Sequence, residues 1–259
     1  NISKIEEQNK QIQLYFENDE THECDYLIIS DGIFSKSKSL ISENDAKFKP
    51  KYNNTLAIRG ILAKSFEKMD NKNIALFLGS DFHQVIYPIS PSGELNFIAI
   101  MKYHLSAEEQ KNYALFNENS FIKKVLEKFS LRNKIFLDDL KELKVFPVFV
   151  SDNFYKLQNT NIHIIGDAFF AFPPSFAQGA SQSIEGAYEL FKIIENNTEI
   201  NFFKNRVNKI KMIYTRSKFN QFAFHLSSPL TKFFRNLLLK RVVKNKKFLE
   251  SYLGKIYRN

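Results

Sequence analysis

Gly166-Asp167-Ala168, followed by Pro173-Pro174 and by Gln178-Gly179-Ala180-Ser181, is the stretch of this 259-residue chain whose residue types could do chemistry together. The apolar run Ile162, Ile164 and Ile165 predicts a covered parallel strand. Asp167 then falls at the strand's carboxyl end, where open α/β sheets place their ligand groups. The two prolines stiffen the loop. Gly179-Ala180-Ser181 has little side-chain bulk, so a flat ligand could approach the backbone closely. Ile184, Ala187, Tyr188 and Phe191 recur at a helical period, which predicts a helix from about residue 179. Its first amides would be unpaired and its positive dipole end would point into the loop, an arrangement suited to something planar that becomes anionic.

These residues resemble the second flavin-binding motif of the single-component FAD-dependent aromatic hydroxylases. The match comprises Gly166-Asp167-Ala168-Phe169-Phe170, Pro174, Gln178-Gly179 and Ile184-Glu185-Gly186-Ala187. Phe170 stands where the family has His, and Gly186 where it has Asp. The resemblance implies that Asp167 holds the ribityl chain and that Pro174 shapes the site. The backbone of Gly179, Ala180 and Ser181 would stabilise negative charge at the pyrimidine edge. Gly166 and Gln178 complete the implied cofactor set.

A second stretch supports the first. Tyr26 to Ile29 predicts a strand leading into Ser30-Asp31-Gly32, with Ser35 and Lys38 able to offer a hydroxyl and a cation to phosphate. By itself Asp-Gly after a strand is a common turn. Residues 24–38 are, however, similar to the Asp-Gly motif of the same family, which places Asp31 and Gly32 near the pyrophosphate. Ile29 stands where the family prefers Gly, and Lys38 where it often has Arg.

Between the two motifs the character changes. Leu56–Leu62, Ile74–Gly79, Gln84–Tyr87 and Leu95–Met101 predict strands joined by short connections, hence an antiparallel sheet. Helices are expected at 106–116, where Ser106 and Glu109 form a capping-box pattern, at 120–129 and at 137–143. Arg59-Gly60, Gly79 to Pro88 and Gly93 to Phe97 look like the substrate sheet of salicylate-hydroxylase-like members. Period-two alternation puts His83, Val85 and Tyr87 on one face. His83 is the candidate base for a phenol and Tyr87 a second pocket group, because imidazole titrates near neutrality. Arg59 is the candidate for a substrate carboxylate.

The expected class is mixed α/β (α+β): a partial Rossmann-like FAD-binding domain, an inserted antiparallel-sheet substrate domain and C-terminal helices. The expected segments are 1–45 (FAD-binding), 46–145 (substrate), 146–200 (return to FAD-binding) and 201–259 (helices). The sequence has eight glycines, none spaced as Gly-x-Gly-x-x-Gly between a strand and a helix. It therefore corresponds to the C-terminal two-thirds of such a hydroxylase. The single cysteine, Cys24, cannot form an internal disulfide, which suits a cytoplasmic setting. No Cys/His spacing indicates a metal, and no apolar run is long enough to span a membrane.

The net charge of +9 favours acidic partners and permits peripheral membrane contact, with no specific nucleic-acid motif. The resemblance implies a monooxygenase that uses FAD, NADH or NADPH and O2 to hydroxylate a small phenolic or benzoate-like ring. Two alternatives stand beside it. One is a ubiquinone-biosynthesis-type hydroxylase of a lipid-linked phenol. The other is a non-catalytic remnant with a basic binding surface.

Overall fold

The structure, a computed structural model, describes residues 1–8, 11–41, 49–62, 73–91, 93–130, 140–154, 157, 161–196 and 202–257. The strands in chain order are β1 (Ile2–Gln8), β2 (Gln11–Phe16), β3 (Thr21–Cys24), β4 (Leu27–Ile29), β5 (Lys51–Leu62), β6 (Ala75–Leu78), β7 (Phe82–Pro88), β8 (Leu95–Lys102), β9 (Leu140–Val150) and β10 (Ile162–Ile164). The helices are α1 (Ser37–Leu40), α2 (Asn119–Ser130), α3 (Gly166–Phe169), α4 (Gly179–Glu195), α5 (Phe202–Phe224), α6 (Pro229–Val242), α7 (Lys246–Leu249) and α8 (Lys255–Tyr257), with short 3-10 turns at Tyr113–Asn117 and Pro174–Phe176 and a π-helical turn at Glu250–Gly254. The chain divides into two compact units, one of residues 1–51 and 149–217, the other of 52–148 and 218–259. The divisions fall inside β5, β9 and α5. The segment expected as separate C-terminal helices is thus shared between the units, because α5 belongs to both.

In the first unit β1, β2 and β3 form an antiparallel sheet in that order, and β4 pairs with β10 in parallel. Ile12 from β2, Ile29 from β4, Ile162 and Ile164 from β10 and Ile210 from α5 bury together. Phe170 joins this cluster at 2% exposure, stacked on Phe154 at 4.4 Å and edge-on to Tyr214 at 5.2 Å. A phenyl ring rather than an imidazole at 170 follows from that apolar surrounding.

Helix α4 forms where its period predicts a helix, with its apolar repeat turned outward. The apolar repeat is real, but Ile184, Tyr188 and Phe191 are exposed, and the buried positions are Gln182, Gly186 and Leu190. The inward face is polar because Arg206 of α5, 2% exposed, is held against it. Its Nη2 donates to the Gln182 carbonyl and to Oε1, each at 3.0 Å, and its Nη1 donates to Glu189 at 3.2 Å. Lys209 pairs with Glu185 beside it. A buried guanidinium needs such partners, and here they decide which face turns inward.

The second unit holds a five-stranded sheet in the order β6-β7-β8-β5-β9; the strand pattern predicts the four strands β5 to β8 and their antiparallel pairing. Alternate residues Leu56, Ile58, Phe97, Ala99 and Met101 turn to one face and bury there. Phe121, Val125 and Phe129 of α2, spaced by four, cover that face. Fully burying each such side chain contributes about 2–3 kcal/mol.

Two expected helices differ. Ser106 and Glu109 do form the reciprocal cap (Ser106 N to Glu109 at 2.8 Å, Glu109 N to Ser106 Oγ at 3.1 Å), yet only turns follow before the 3-10 segment. The cap satisfies two amides but does not overcome the cost of helix nucleation, and Asn112 leaves the helical region at ψ 84°. The helix expected at 137–143 is a strand from residue 140, where β9 lies beside β5; residues 137–139 lie outside the described residues. Pairing along β5 outweighs the local propensity of Leu140-Lys141-Glu142.

Candidate functional site

The parallel pairing of β4 with β10 brings the two sequence motifs together. Ile29 is in register with Ile164, and Ile165 N donates to the Ile29 carbonyl at 3.0 Å. Asp31-Gly32 and Gly166-Asp167 therefore leave the same ends of adjacent strands, whose backbones lie about 4.8 Å apart. Gly166 has φ +62° and Gly32 φ +83°, conformations that favour glycine and that turn each chain sharply out of its strand.

The two carboxylates have different surroundings. Asp31 Oδ2 accepts from Ser37 N at 3.2 Å and from Ser37 Oγ at 2.9 Å. Burial would raise its pKa, but hydrogen bonds from Ser35 and Ser37 outweigh that and hold it below the usual carboxylate value. Asp31 thus ties the loop into α1. Ser35 is engaged as well, its Oγ accepting from Lys38 N at 3.1 Å, and Lys38 is buried. The cation expected to meet phosphate is packed into the protein instead. Asp167 keeps an accessible edge, yet the surrounding atoms desolvate it and push its pKa up. A carboxyl in that state gains from ligand hydroxyl donors.

Past Asp167 the chain runs through the turn Pro174–Phe176 and reaches Ala177 at φ +51°. Pro174 is exposed, whereas Gln178 is buried and its Oε1 faces Gln182 Nε2 at 3.4 Å. Gln178 is the N-cap residue of α4, and its side chain makes no capping hydrogen bond to that end. A Cβ added at Gly179 would meet nothing within 4 Å, so the approach to the first turn is open. Small residues over an uncapped helix N-terminus fit an anionic planar edge. The accessible carboxyl of Asp167 and the open first turn at Gly179 are compatible with a polyol-bearing, planar cofactor such as FAD.

In the second unit the sheet face opposite the core carries the other candidates. Val85 opposes Ile98, which opposes Arg59; Tyr87 opposes Asn96, which opposes Ile61. Arg59 is exposed and has no ion-pair partner among the described residues. Asn96 was not singled out by sequence reasoning. Its Nδ2 is buried with no hydrogen-bond partner among the described residues. The only sequence signal was an amide inside an otherwise apolar strand.

His83 lies on the same face but is 3% exposed. Its Nδ1 is 2.9 Å from His225 Nε2, and Phe224 packs on its ring at 5.3 Å. Burial, with a smaller contribution from His225, pushes His83 down to about 3. Burial likewise pushes His225 down to about 4, against an opposing pull from Asp81. His225 opens onto a cleft of about 550 Å³ bordered by Asn53, Asp81, Lys102, Gln221 and Phe222. The structure thus gives His83 a partner that sequence reasoning missed, and it is not an open base.

Residues 4–198 match a protein family described as FAD binding domain. The chain belongs to that family, which includes the FAD-dependent aromatic hydroxylases. It is 24% identical over 219 residues to a salicylate hydroxylase of Pseudomonas putida, covering 74% of this chain and 48% of that one. It is 25% identical over 198 residues to a dual trans-enoyl reductase/FAD-dependent monooxygenase of Aspergillus terreus, covering 72% of this chain and 28% of the relative. The chain thus spans about half or less of the length of these relatives. Among solved structures, a salicylate hydroxylase substrate complex superposes with TM-score 0.72 at 19% identity, covering 93% of this chain and 66% of the other. A variant of Klebsiella pneumoniae HpxO complexed with FAD superposes with TM-score 0.76 at 16% identity, covering 97% and 67%. The shared fold is that of FAD-dependent hydroxylases.

Proposed function

We propose that this chain provides the flavin-ring and substrate-binding part of an FAD-dependent monooxygenase that hydroxylates a small phenolic or benzoate-like ring with NADH or NADPH and O2. The observation that carries this reading is the β4–β10 pairing, which sets Asp31-Gly32 and Gly166-Asp167 at adjacent strand ends. Bound FAD would supply the redox and oxygen chemistry. Asp167 accepts hydrogen bonds from the ribityl chain. Asp31 holds the loop carrying Gly32 in the shape that meets pyrophosphate. The Gly179, Ala180 and Ser181 amides orient the ring and stabilise negative charge on it. Gly166 gives the turn, Pro174 walls the site, and Gln178 fixes the start of α4.

On this sheet face of the second unit, Arg59 binds a substrate carboxylate, while Tyr87 and the Asn96 amide meet ring oxygens. His83, held by His225, is a weak base, so its role is to position this face and to pass a proton through its partner rather than to take one unaided. Salicylate hydroxylase among the relatives favours this branch over a lipid-linked phenol.

The test is a titration of the purified chain with FAD, followed by the visible flavin band and flavin fluorescence. Asp167→Ala should weaken binding by about tenfold or more, the loss of a charge-assisted hydrogen bond. NAD(P)H oxidation with a panel of hydroxybenzoates then reads substrate choice, and Arg59→Met should raise KM for carboxylated rings alone. A folded chain that leaves the flavin spectrum unchanged at every FAD concentration would overturn the reading.

A further inference from the structure

Helix α6 is inverted relative to an ordinary surface helix. It fastens itself to its unit through cations: Lys232 Nζ donates to Ser80 Oγ at 3.1 Å, and Arg235, 7% exposed, donates to the Phe224 carbonyl at 3.1 Å. The opposite side carries Leu230, Phe233, Phe234, Leu237 and Leu238, each between 44% and 65% exposed. Their spacing is i, i+3, i+4, i+7, i+8, the apolar arc that a globular helix normally buries. Phe233 and Phe234 sit edge to face at 5.6 Å. Directly after this arc come Lys240, Arg241, Lys244, Lys246 and Lys247, all exposed. From residue 227 to 249 the sequence holds seven Lys or Arg and no Asp or Glu.

We propose that α6 and the start of α7 form a docking surface for an anionic lipid bilayer. The apolar arc would lie at the boundary between headgroups and acyl chains, with the basic cluster among the phosphates. Charge decides between occupants. A second copy would set the five exposed cations, Lys240, Arg241, Lys244, Lys246 and Lys247, against another five, whereas an anionic bilayer neutralises them. The exposed stripe on α4 lacks this frame, because Glu185, Glu189 and Glu195 adjoin it. Among the described residues no helix is long and apolar enough to cross a membrane, so contact lies in the plane of the surface. Docking at α6 is independent of the flavin chemistry proposed above.

The experiment is co-sedimentation of the whole chain with vesicles of phosphatidylcholine alone and of phosphatidylcholine mixed with phosphatidylglycerol, at low and high salt. The chain should sediment with the anionic vesicles, stay off the neutral ones, and be released by salt. Combined Phe233→Ser, Phe234→Ser and Leu237→Ser, all at exposed positions, should reduce binding by at least about tenfold with the circular dichroism unchanged. Lys240→Glu with Arg241→Glu should do the same. A chain that ignores both vesicles, or that binds as well without its apolar arc, overturns the proposal. A dimer in gel filtration that the triple variant splits also overturns it and assigns the arc to a second copy.

Discussion

His83 shows how far a side chain's surroundings can move its chemistry. Free imidazole titrates near 6.5, but the folded pair stays neutral until about 4 for His225 and about 3 for His83. Below pH 6.5 the unfolded chain therefore binds more protons than the folded one. The stability from keeping these rings neutral is complete above that value and is lost as pH falls toward 3. Between about pH 7 and about pH 5 the loss should be roughly 2 kcal/mol for each ring and so roughly 4 kcal/mol for the pair, read as a falling urea midpoint. Gln at both 83 and 225 should flatten that slope; an equal slope would show that other groups govern it. Asn96 offers a second check at this scale. Its unpaired amide costs free energy in the absence of a ligand, so Asn96→Leu should leave stability unchanged or raise it while weakening binding of oxygen-bearing rings. Thermal unfolding and substrate KM would show the two effects moving apart.

At the scale of elements, the seam between α4 and α5 supports the proposed flavin-side site. Arg206 bonds to Gln182 and Glu189 across it, and α4 begins at the small residues proposed to face the ring. Arg206→Ala should cost about 3 kcal/mol, since it strands Glu189, whose own carboxyl burial already pushes upward. It should also weaken FAD binding, though it lies outside the ligand loop, because it releases the helix that orients the loop. A variant with unchanged FAD affinity would separate the seam from the site. Gly186 lies on the same seam. A Cβ there would reach Arg206 Nε at 3.5 Å, an ordinary contact. Gly186→Ala should therefore stabilise the helix by about 0.5–1 kcal/mol in chemical denaturation.

For the whole molecule, the chain passes between its two units within β5, β9 and α5, not through linkers. Each crossing element contributes residues to both units, so unfolding one removes part of the other. Thermal unfolding by circular dichroism should show one transition; two resolved transitions would show that the units melt independently. The segment 52–148 produced alone would lack Phe224 and His225 beside His83, and should melt below the whole chain.

Much was legible in the sequence because it depends on near neighbours. Gly166-Asp167 and Asp31-Gly32 each encode a strand end and a turn within a few residues. The apolar runs of β5 to β8 and their short connections set their type, alternation placed His83, Val85 and Tyr87 of β7 on one face, and the segment at 120–129 was legible as the helix α2. Only tertiary packing placed β4 against β10, since parallel pairing joins residues far apart in sequence and neither strand specifies its partner. The same holds for α4, whose apolar period is real but whose buried face was chosen by Arg206 arriving from another helix. It holds again for His83, whose alternation named its face correctly while His225, far along the chain, took its open nitrogen. Periodicity is a property of one segment; burial, partner and protonation belong to pairs of segments, and those are decided only when the chain has packed.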